Sequence, residues 1–269
     1  MLIELIRRSM HLNISSWQRN ITLVKVIFWR EFNSMYRRTC LGPLWAFVAP
    51  AAYLCVFVFF RLMFGLSNPE GVPMIPFLFS GLSIWLLFAG ILNSAFPAVV
   101  ANVSILKKMP VPPLVFVLAS SLLPLFTCCV YLVLLEGMLI YYNYIPGLLH
   151  LFIPVIFLLV FFFALGLGLL VASIAFYRQD IIQVLPTLVQ LGMFATPIFY
   201  SPAIIPKSLQ WAVQINPVAE CVGMFRQILF LGTFPDWTVL LKVLLIIILL
   251  WAIALPLFKR ITRYVADIY

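Results

Sequence analysis

The fold is decided by the run Leu148–Phe176, which reads LLHLFIPVIFLLVFFFALGLGLLVASIAF and contains no Lys, Arg, Asp or Glu. A membrane core of ~30 Å needs about 20 apolar residues in a helix, so this run is long enough to cross one. The whole chain has the same character, because 65% of its 269 residues are hydrophobic and only 9% are charged. A soluble domain would lack the polar surface to enclose so much apolar material. The composition therefore predicts an all-α membrane protein.

Six stretches meet the length requirement, and turn residues or charges separate them. They cover residues 43–64, 75–100, 112–142, 148–176, 181–200 and 238–258. We expect residues 1–269 to form a single transmembrane domain built on these six spans. The first 42 residues lack the short apolar run and the cleavage site of a secretory signal, so we expect them to be retained.

Lys and Arg are distributed unevenly between the two sides that six spans would define. The two termini and the loops 100–112 and 177–180 share one side, which holds 13 of the 17 basic residues. The positive-inside rule then predicts a multi-pass protein of the cytoplasmic (inner) membrane with both termini in the cytoplasm. The net charge of +9 indicates attraction to anionic lipid rather than to nucleic acid, because no hydrophilic domain is large enough to hold a nucleic acid.

Residues 14–40 are predicted to form an amphipathic helix at the cytoplasmic interface. Apolar residues recur every three or four positions, with basic residues between them: Trp17, Ile21, Val24, Phe28 and Phe32. Trp and Phe would face the lipid and the basic residues the head groups. The helix is either a simple membrane anchor or a docking surface for a partner or an anionic lipid, and the sequence leaves both open.

The loop 102–113 is short, basic and rich in proline. Its pair Lys107-Lys108 is either ordinary cytoplasmic charge or part of a short helix that receives force from a soluble motor. The sequence alone does not separate these interpretations.

The segment 201–237 separates two spans that would both end on the outer side. Its apolar run Val218–Leu231 has fourteen residues, too few to cross the membrane. Because the run must begin and end on the same side, we expect a re-entrant or interfacial helical hairpin between spans five and six. Irregular backbone at Asn216-Pro217 would need cover from protein or from a water-filled cavity, so a lumen or gate is expected near the outer face.

Polar and aromatic residues within the spans offer further candidates. Glu136 is a proton-relay group, or it lies near the outer interface, or it is a partner in a pair across helices. Aromatic rings are either lipid-facing bulk or stacking surfaces for sugars along a channel, and the candidates for the channel are Tyr53, Phe60, Trp85, Phe88, Phe199 and Tyr200. The sequence contains neither a phosphate-binding loop motif nor a His-Glu-x-x-His zinc motif. ATP hydrolysis would therefore have to come from another chain.

Several short motifs resemble those of ABC-2 type permeases that export O-antigen, capsule or teichoic acid polysaccharides. They occur in the family's order: Trp29-Arg30-Glu31-Phe32, then Tyr36-Arg37-Arg38-Thr39-Cys40-Leu41-Gly42-Pro43-Leu44-Trp45, Lys107-Lys108-Met109-Pro110-Val111, Arg178-Gln179-Asp180, and Asn216-Pro217 with Phe225-Arg226. The resemblance extends over essentially the whole chain.

The resemblance implies a homodimer bound to two copies of a separate ABC ATPase subunit, which would hold ATP and Mg, with no cofactor in this chain. The implied cargo is a polysaccharide linked to undecaprenyl pyrophosphate, with O-antigen as the first expectation. The alternatives are an ABC-2 exporter of a drug or small lipid, and a channel or membrane enzyme outside the ABC class.

The resemblance also implies roles for particular residues. Arg37 and Arg38 would hold the lipid pyrophosphate, and Leu41-Gly42 would form the turn into the first span. Residues 102–110 would form the coupling helix that seats in the ATPase, and 201–231 the outer gate. The residues expected to act in these two elements are Lys107, Lys108, Met109 and Pro110 in the coupling helix, and Asn216, Pro217, Glu220 and Arg226 in the gate.

Overall fold

The computed structural model describes residues 16–36, 40, 42–65, 71–108, 111–144, 147–175, 178 and 180–262. Every regular element in these ranges is helical. The α-helices are α1 (Ser16–Tyr36), α2 (Trp45–Met63), α3 (Met74–Ala95), α4 (Ala98–Ala101), α5 (Val103–Leu106), α6 (Pro113–Tyr141), α7 (Ile153–Ala175), α8 (Asp180–Ala195), α9 (Gln210–Ile215), α10 (Pro217–Arg226) and α11 (Trp237–Thr262). A 3₁₀ turn, Leu148–Phe152, leads into α7, and a π-helical turn, Gln227–Leu231, follows α10.

Five helical segments are long and apolar enough to cross a membrane: α2, α3, α6, Leu148–Ala175 and α11. They confirm five of the six predicted spans. The remaining predicted span, 181–200, corresponds to α8, whose 16 residues rise only about 24 Å. The continuous helix α3 ends at Ala95, five residues before the predicted end of its span. Pro97 lies two residues after this end and has no N–H to donate to a preceding turn, although Pro50, Pro124, Pro186 and Pro256 lie inside other helices of the bundle.

Helix α3 forms the centre of the bundle and packs against α2, α6, α7, α8 and α10. Leu78, Leu82 and Ile84 on α3 have no measurable exposure. Small residues allow α3 and α7 to approach closely, since a Cβ added to Gly168 would lie 2.7 Å from the Cβ of Ala95. In contrast, α2 and α8 each pack through a narrow stripe and leave most of their surface exposed.

Helix α1 is present as predicted in its described part, but it packs through a face that the sequence interpretation missed. Leu23 and Ile27 are buried against α6. In the sequence, these two residues alternate with the residues predicted to face lipid. Helix α1 is apolar on two faces, and periodicity alone does not show which face meets protein.

The predicted lipid-facing set of α1 is divided in the structure. Trp17 and Ile21 are exposed, with Trp17 at 72%, whereas Val24, Phe28 and Phe32 are half-buried. Phe32 lies edge-on to Phe126 of α6, with ring centroids 5.3 Å apart. Helix α1 is therefore docked along the bundle on one side and free to meet lipid on the other.

The bundle has two ends, which differ in charge. We call the end that carries α1, α4 and α5 the basic end, and the end that carries α9 and α10 the opposite end. The described Lys and Arg residues of the basic end are Arg19, Lys25, Arg30, Lys107, Lys108, Arg178, Lys259 and Arg260, and those of the opposite end are Arg61, Lys207, Arg226 and Lys242. Helix α8 begins at the basic end, and the residues that follow it, 196–200, contact Arg61 and Arg226 at the opposite end. We call residues 196–200 the connector.

Candidate functional site

At the opposite end, α10 is buried between α3 and α7. Val218, Val222 and Phe225 are among its buried residues, and Phe225 lies edge-on to Phe157 of α7 at 5.2 Å. The helix starts cleanly because the Asn216 side chain accepts a hydrogen bond from the Val218 N–H at 3.0 Å. Pro217 takes the first helical position, where its missing N–H has no helical acceptor to lose. The predicted irregularity at Asn216-Pro217 is thus a helix N-terminus.

Arg226, at the end of α10, binds two separate parts of the bundle, α3 and the connector. Its Nη1 donates to the Pro197 carbonyl at 2.8 Å, and its Nη2 donates to the carbonyls of Ile198 at 2.6 Å and Phe77 at 3.2 Å. Its Nε lies 3.4 Å from the Ser80 hydroxyl. The guanidinium also covers the Phe77 ring, with Cζ 3.7 Å from the ring centroid. Four of its five N–H groups are therefore engaged.

Gly81 makes room for this guanidinium. A Cβ at residue 81 would lie 2.8 Å from Nη2 of Arg226 and 3.0 Å from the Ile198 carbonyl oxygen. The second buried cation of this end, Arg61 of α2, is 2% exposed and donates to the carbonyl of Phe199. Its Cζ lies 5.1 Å from the centroid of the same Phe77 ring. The two arginines thus bind the connector from two helices.

Further polar contacts bind this end together. The Asn216 amide donates to the Thr196 hydroxyl of the connector at 3.1 Å. Lys242 of α11 forms an ion pair with Glu220 and donates to the Gln214 carbonyl at 3.0 Å. The predicted gate residues therefore do not meet at one point, and each binds a different neighbour. A cavity of about 230 Å³ lies beside Arg226, between Phe77, Gln227 and Phe230.

At the basic end, the segment 102–110, predicted to be the coupling helix, is described only as far as residue 108. Within 102–110, the described helix α5 has four residues, and Lys107 and Lys108 follow it as exposed side chains. Met109 and Pro110 lie outside the described residues. Asn102, between α4 and α5, is 7% exposed and accepts a hydrogen bond from Nη2 of Arg30 at 3.0 Å.

Arg30 also lies beside Glu31, with Nη2 3.4 Å from the Glu31 carboxylate. Burial raises the pKa of the Glu31 carboxyl, and the positive charge of Arg30 opposes that shift. The Trp29-Arg30-Glu31-Phe32 motif thus supplies a direct contact between α1 and the loop after α3. The sequence interpretation gave this motif no contact of its own.

The residues predicted to hold a pyrophosphate, Arg37 and Arg38, lie outside the described residues, as does Leu41. Gly42 has a φ of 51°, in the left-handed region that favours glycine, and opens the 3₁₀ turn Gly42–Leu44. A tight turn into α2 is what the sequence predicted at this position.

The structure does not bring the six candidate channel aromatics to one surface. Tyr53 and Phe60 of α2 are exposed, whereas Trp85 and Phe88 of α3 are buried at 5% and 8% exposure. The remaining two, Phe199 and Tyr200, lie in the connector; Phe199 packs on Phe57, with ring centroids 3.8 Å apart, and the Tyr200 hydroxyl donates to the Phe194 carbonyl at 3.1 Å.

Helix α8 carries a polar stripe that the sequence interpretation missed. Gln183, Thr187 and Gln190 are spaced by four and three residues, so they lie on one face, and all three are exposed. A different side of the helix packs on the bundle through Val189 and Met193. The signal was available in the sequence, because two glutamines at helical spacing within an apolar segment are unusual.

Glu136 pairs with His150, whose Nδ1 lies 3.0 Å from the carboxylate. This confirms the interpretation of Glu136 as a partner in a pair across helices, since His150 lies in the turn that leads into α7. The second carboxylate oxygen of Glu136 is buried and has no hydrogen-bond partner among the described residues.

Long apolar helices and a basic end define the class, which is a multi-pass membrane protein. The chain belongs to the ABC-2 type transporter family, whose model matches residues 22–230. This confirms the predicted resemblance and excludes a channel or membrane enzyme outside the ABC class. The chain is therefore a transport subunit without cofactor, and membership implies a partner ATPase on a separate chain.

Curated relatives align over most of the chain. It is 28% identical to the O-antigen export system permease protein RfbA of Myxococcus xanthus, over 83% of this chain and 86% of the relative. It is 26% identical to the capsule polysaccharide export inner-membrane protein CtrC of Neisseria meningitidis serogroup A, over 84% and 88%. It is 26% identical to the polysialic acid transport protein KpsM of Escherichia coli, over 79% and 83%.

Proposed function

We propose that this chain is the membrane subunit of an ATP-driven exporter that moves a lipid-linked polysaccharide across the inner membrane. The observation that carries the proposal is the exposed polar stripe of α8, formed by Gln183, Thr187 and Gln190. Its amides and hydroxyl are neutral hydrogen-bonding groups, which suit a hydroxyl-rich glycan that must slide past without being held by strong charges. The names of the relatives support O-antigen or capsule as the class of cargo.

The stripe also supports a homodimer. Glutamine side chains facing hydrocarbon are costly, so the stripe needs protein or water opposite it. A second copy related by a two-fold axis would place two α8 stripes across a shared wet path. Tyr53 and Phe60 on the thinly packed helix α2 are exposed and are candidates for the walls of that path.

The proposal requires six crossings, with α8 and the connector as the fifth. The connector reaches Arg61 and Arg226 at the opposite end, which supports a crossing that is completed by irregular backbone buried in protein. Helices α9 and α10 would then form a re-entrant hairpin, of which α10 is the buried arm. With the basic end on the cytoplasmic side, both termini would be cytoplasmic.

We infer three further features of the exporter, two at the basic end and one at the opposite end. Arg37 and Arg38 would hold the pyrophosphate of an undecaprenyl-linked glycan, because guanidinium groups form paired hydrogen bonds with phosphate. Exposed Lys107 and Lys108, with the rest of 102–110, would contact the ATPase, which would be present in two copies. At the opposite end, Asn216, Pro217, Glu220 and Arg226 would hold the outer gate.

The proposed export path along α8 is tested by replacing the two glutamines of the polar stripe. Gln183→Leu combined with Gln190→Leu should reduce surface polysaccharide to below about a tenth, the factor expected when two hydrogen-bonding groups are lost. The matched control is Val184→Leu combined with Leu191→Ile on the adjacent exposed apolar face of α8, which should export normally. Membrane abundance and co-purification of the ATPase should be equal for both variants. Normal surface polysaccharide in the glutamine variant would contradict a path along α8.

A further inference from the structure

Helix α1 and the segment between α3 and α6 meet in a hydrogen bond from Arg30 to Asn102. The donor is a charged guanidinium and the acceptor is the side-chain oxygen of a nearly buried amide, with 3.0 Å between Nη2 and Oδ1. Hydrogen bonds to charged groups are stronger than neutral ones, and a buried partner that is left unpaired is costly. The contact is therefore well suited to hold the two segments in register.

Both partners are fixed by a second hydrogen bond. The Asn102 amide donates from Nδ2 to the Ala98 carbonyl at 2.8 Å, which turns its oxygen toward α1. Arg30 is steadied by the neighbouring carboxylate of Glu31 at 3.4 Å. The NH₂ group of the Asn102 side chain thus binds the segment that carries Asn102, and its oxygen binds α1.

Apolar packing supports the same alignment. Leu23 and Ile27 of α1 are buried on α6, and Ala98 and Val99 of α4 are also buried and pack on α6. Helices α1 and α4 therefore both pack on α6. Arg30 and Asn102 add a direct polar connection between two elements that packing on α6 alone would leave free to slide.

We propose that Arg30 and Asn102 form the link that carries motion from the ATPase-facing segment 98–108 into α1. This inference rests on the proposed function, in which 102–110 contacts the ATPase and the arginines after α1 hold the substrate pyrophosphate. A displacement of 98–108 pulls on Asn102, and Asn102 pulls on Arg30. In the sequence, Arg37 and Arg38 follow directly after α1, and α2 begins at Trp45. Arg30 is thus a positioning residue that couples the motor to the substrate end of the chain.

The experiment measures glycan exported per ATP hydrolysed by the permease with its ATPase in proteoliposomes. Arg30→Gln and Asn102→Leu should each lower that ratio about tenfold while the ATPase stays bound and active. The double variant should be no worse than either single variant, because both remove the same contact. Arg30→Lys keeps a charged donor and should restore most of the ratio. Lys25→Gln, which removes an exposed charge from the same helix, is the control and should match the wild type.

Two results would overturn the link: an unchanged ratio in Arg30→Gln, or a double variant whose loss is the product of the single losses. If Arg30→Gln fails to accumulate in the membrane, Asn102→Asp decides, because its carboxylate still accepts from Arg30 and should keep coupling, whereas Asn102→Leu should not. Loss of coupling in both Asn102 variants would assign the effect to the fold of the loop. A wild-type complex without an associated ATPase would contradict the proposed function itself, whereas unaffected variants of an active complex would contradict only this inference.

Discussion

The two ends of the molecule are held together in different ways. At the opposite end, Arg226 makes four hydrogen bonds that join α10 to α3 and to the connector, and the absence of a side chain at Gly81 leaves room for its guanidinium. At the basic end, one hydrogen bond among the described residues, from Arg30 to Asn102, joins α1 to the loop after α3, and the rest of the described contact of α1 is mainly apolar packing on α6. The difference indicates that several polar contacts fix the position of α10, whereas α1 is held mainly by apolar packing and has one polar connection to the loop.

The acceptors of Arg226 explain how the opposite end is held. Pro197 and Ile198 lie two and three residues after the end of α8, in irregular backbone whose carbonyl groups have no helical donor. Arg226 therefore binds the backbone just beyond α8 to the end of α10. Asn102, in contrast, is a side chain that retains its own bond to Ala98 when Arg30 moves away.

The largest effect on this comparison is expected from Arg226→Met, which keeps an unbranched apolar stem and removes the hydrogen-bond donors. Leaving buried carbonyls without a donor should lower the free energy of unfolding by about 3–5 kcal/mol. Thermal unfolding in lipid nanodiscs measures the loss. Lys207→Met removes an exposed cation from the same end and should leave the midpoint unchanged.

Equal stability of Arg226→Met and the wild type would remove the distinction between the two ends. It would mean that apolar packing of Val218, Val222 and Phe225 alone holds α10. Thermal unfolding of Arg30→Gln provides the comparison. If Arg226→Met and Arg30→Gln lose the same free energy of unfolding, both ends depend equally on one side chain and the distinction also fails.

A smaller effect is expected from Gly81→Ala, which tests the shape of the site rather than its charge. The added Cβ would meet both the Arg226 guanidinium and the Ile198 carbonyl, so we expect a loss of about 1–3 kcal/mol. Gly223→Ala is the matched control, because a Cβ there meets nothing within 4 Å and Gly223 lies in α10. The control should raise the unfolding midpoint slightly, by about 0.5–1 kcal/mol in stability. Equal results for the two glycines would show that Arg226 moves aside easily.

The apolar helices could be predicted from the sequence because length and apolarity are properties of a segment taken alone. Residues 148–176 are so apolar that no other interpretation fits, and the structure places Leu148–Ala175 as one spanning segment. The end of α3 could not be predicted from Pro97 alone, because Pro50, Pro124, Pro186 and Pro256 are accommodated inside other helices.

The contacts of the candidate site could not be predicted, because they depend on how distant segments meet. Three acceptors of Arg226 are backbone carbonyls, which every residue carries and which leave no mark on the sequence. Leu23 and Ile27 look like any apolar residues of an amphipathic helix until α6 is placed beside them. The stripe of α8 is the exception, since the spacing of Gln183, Thr187 and Gln190 could have indicated a shared face.

The smallest effect that still distinguishes the two ends is expected from Asn216→Ala. The variant loses the helix cap of α10 at Val218 and the bond to Thr196 of the connector, and it should cost about 1–2 kcal/mol. Asn216→Asp is the informative control, because its carboxylate still caps the helix but cannot donate to Thr196. A loss in Asn216→Ala that Asn216→Asp fully restores would assign the effect to the cap alone. A loss that Asn216→Asp restores only in part would show that the connector is held by side chains as well as by Arg226, since the cap is present in both proteins.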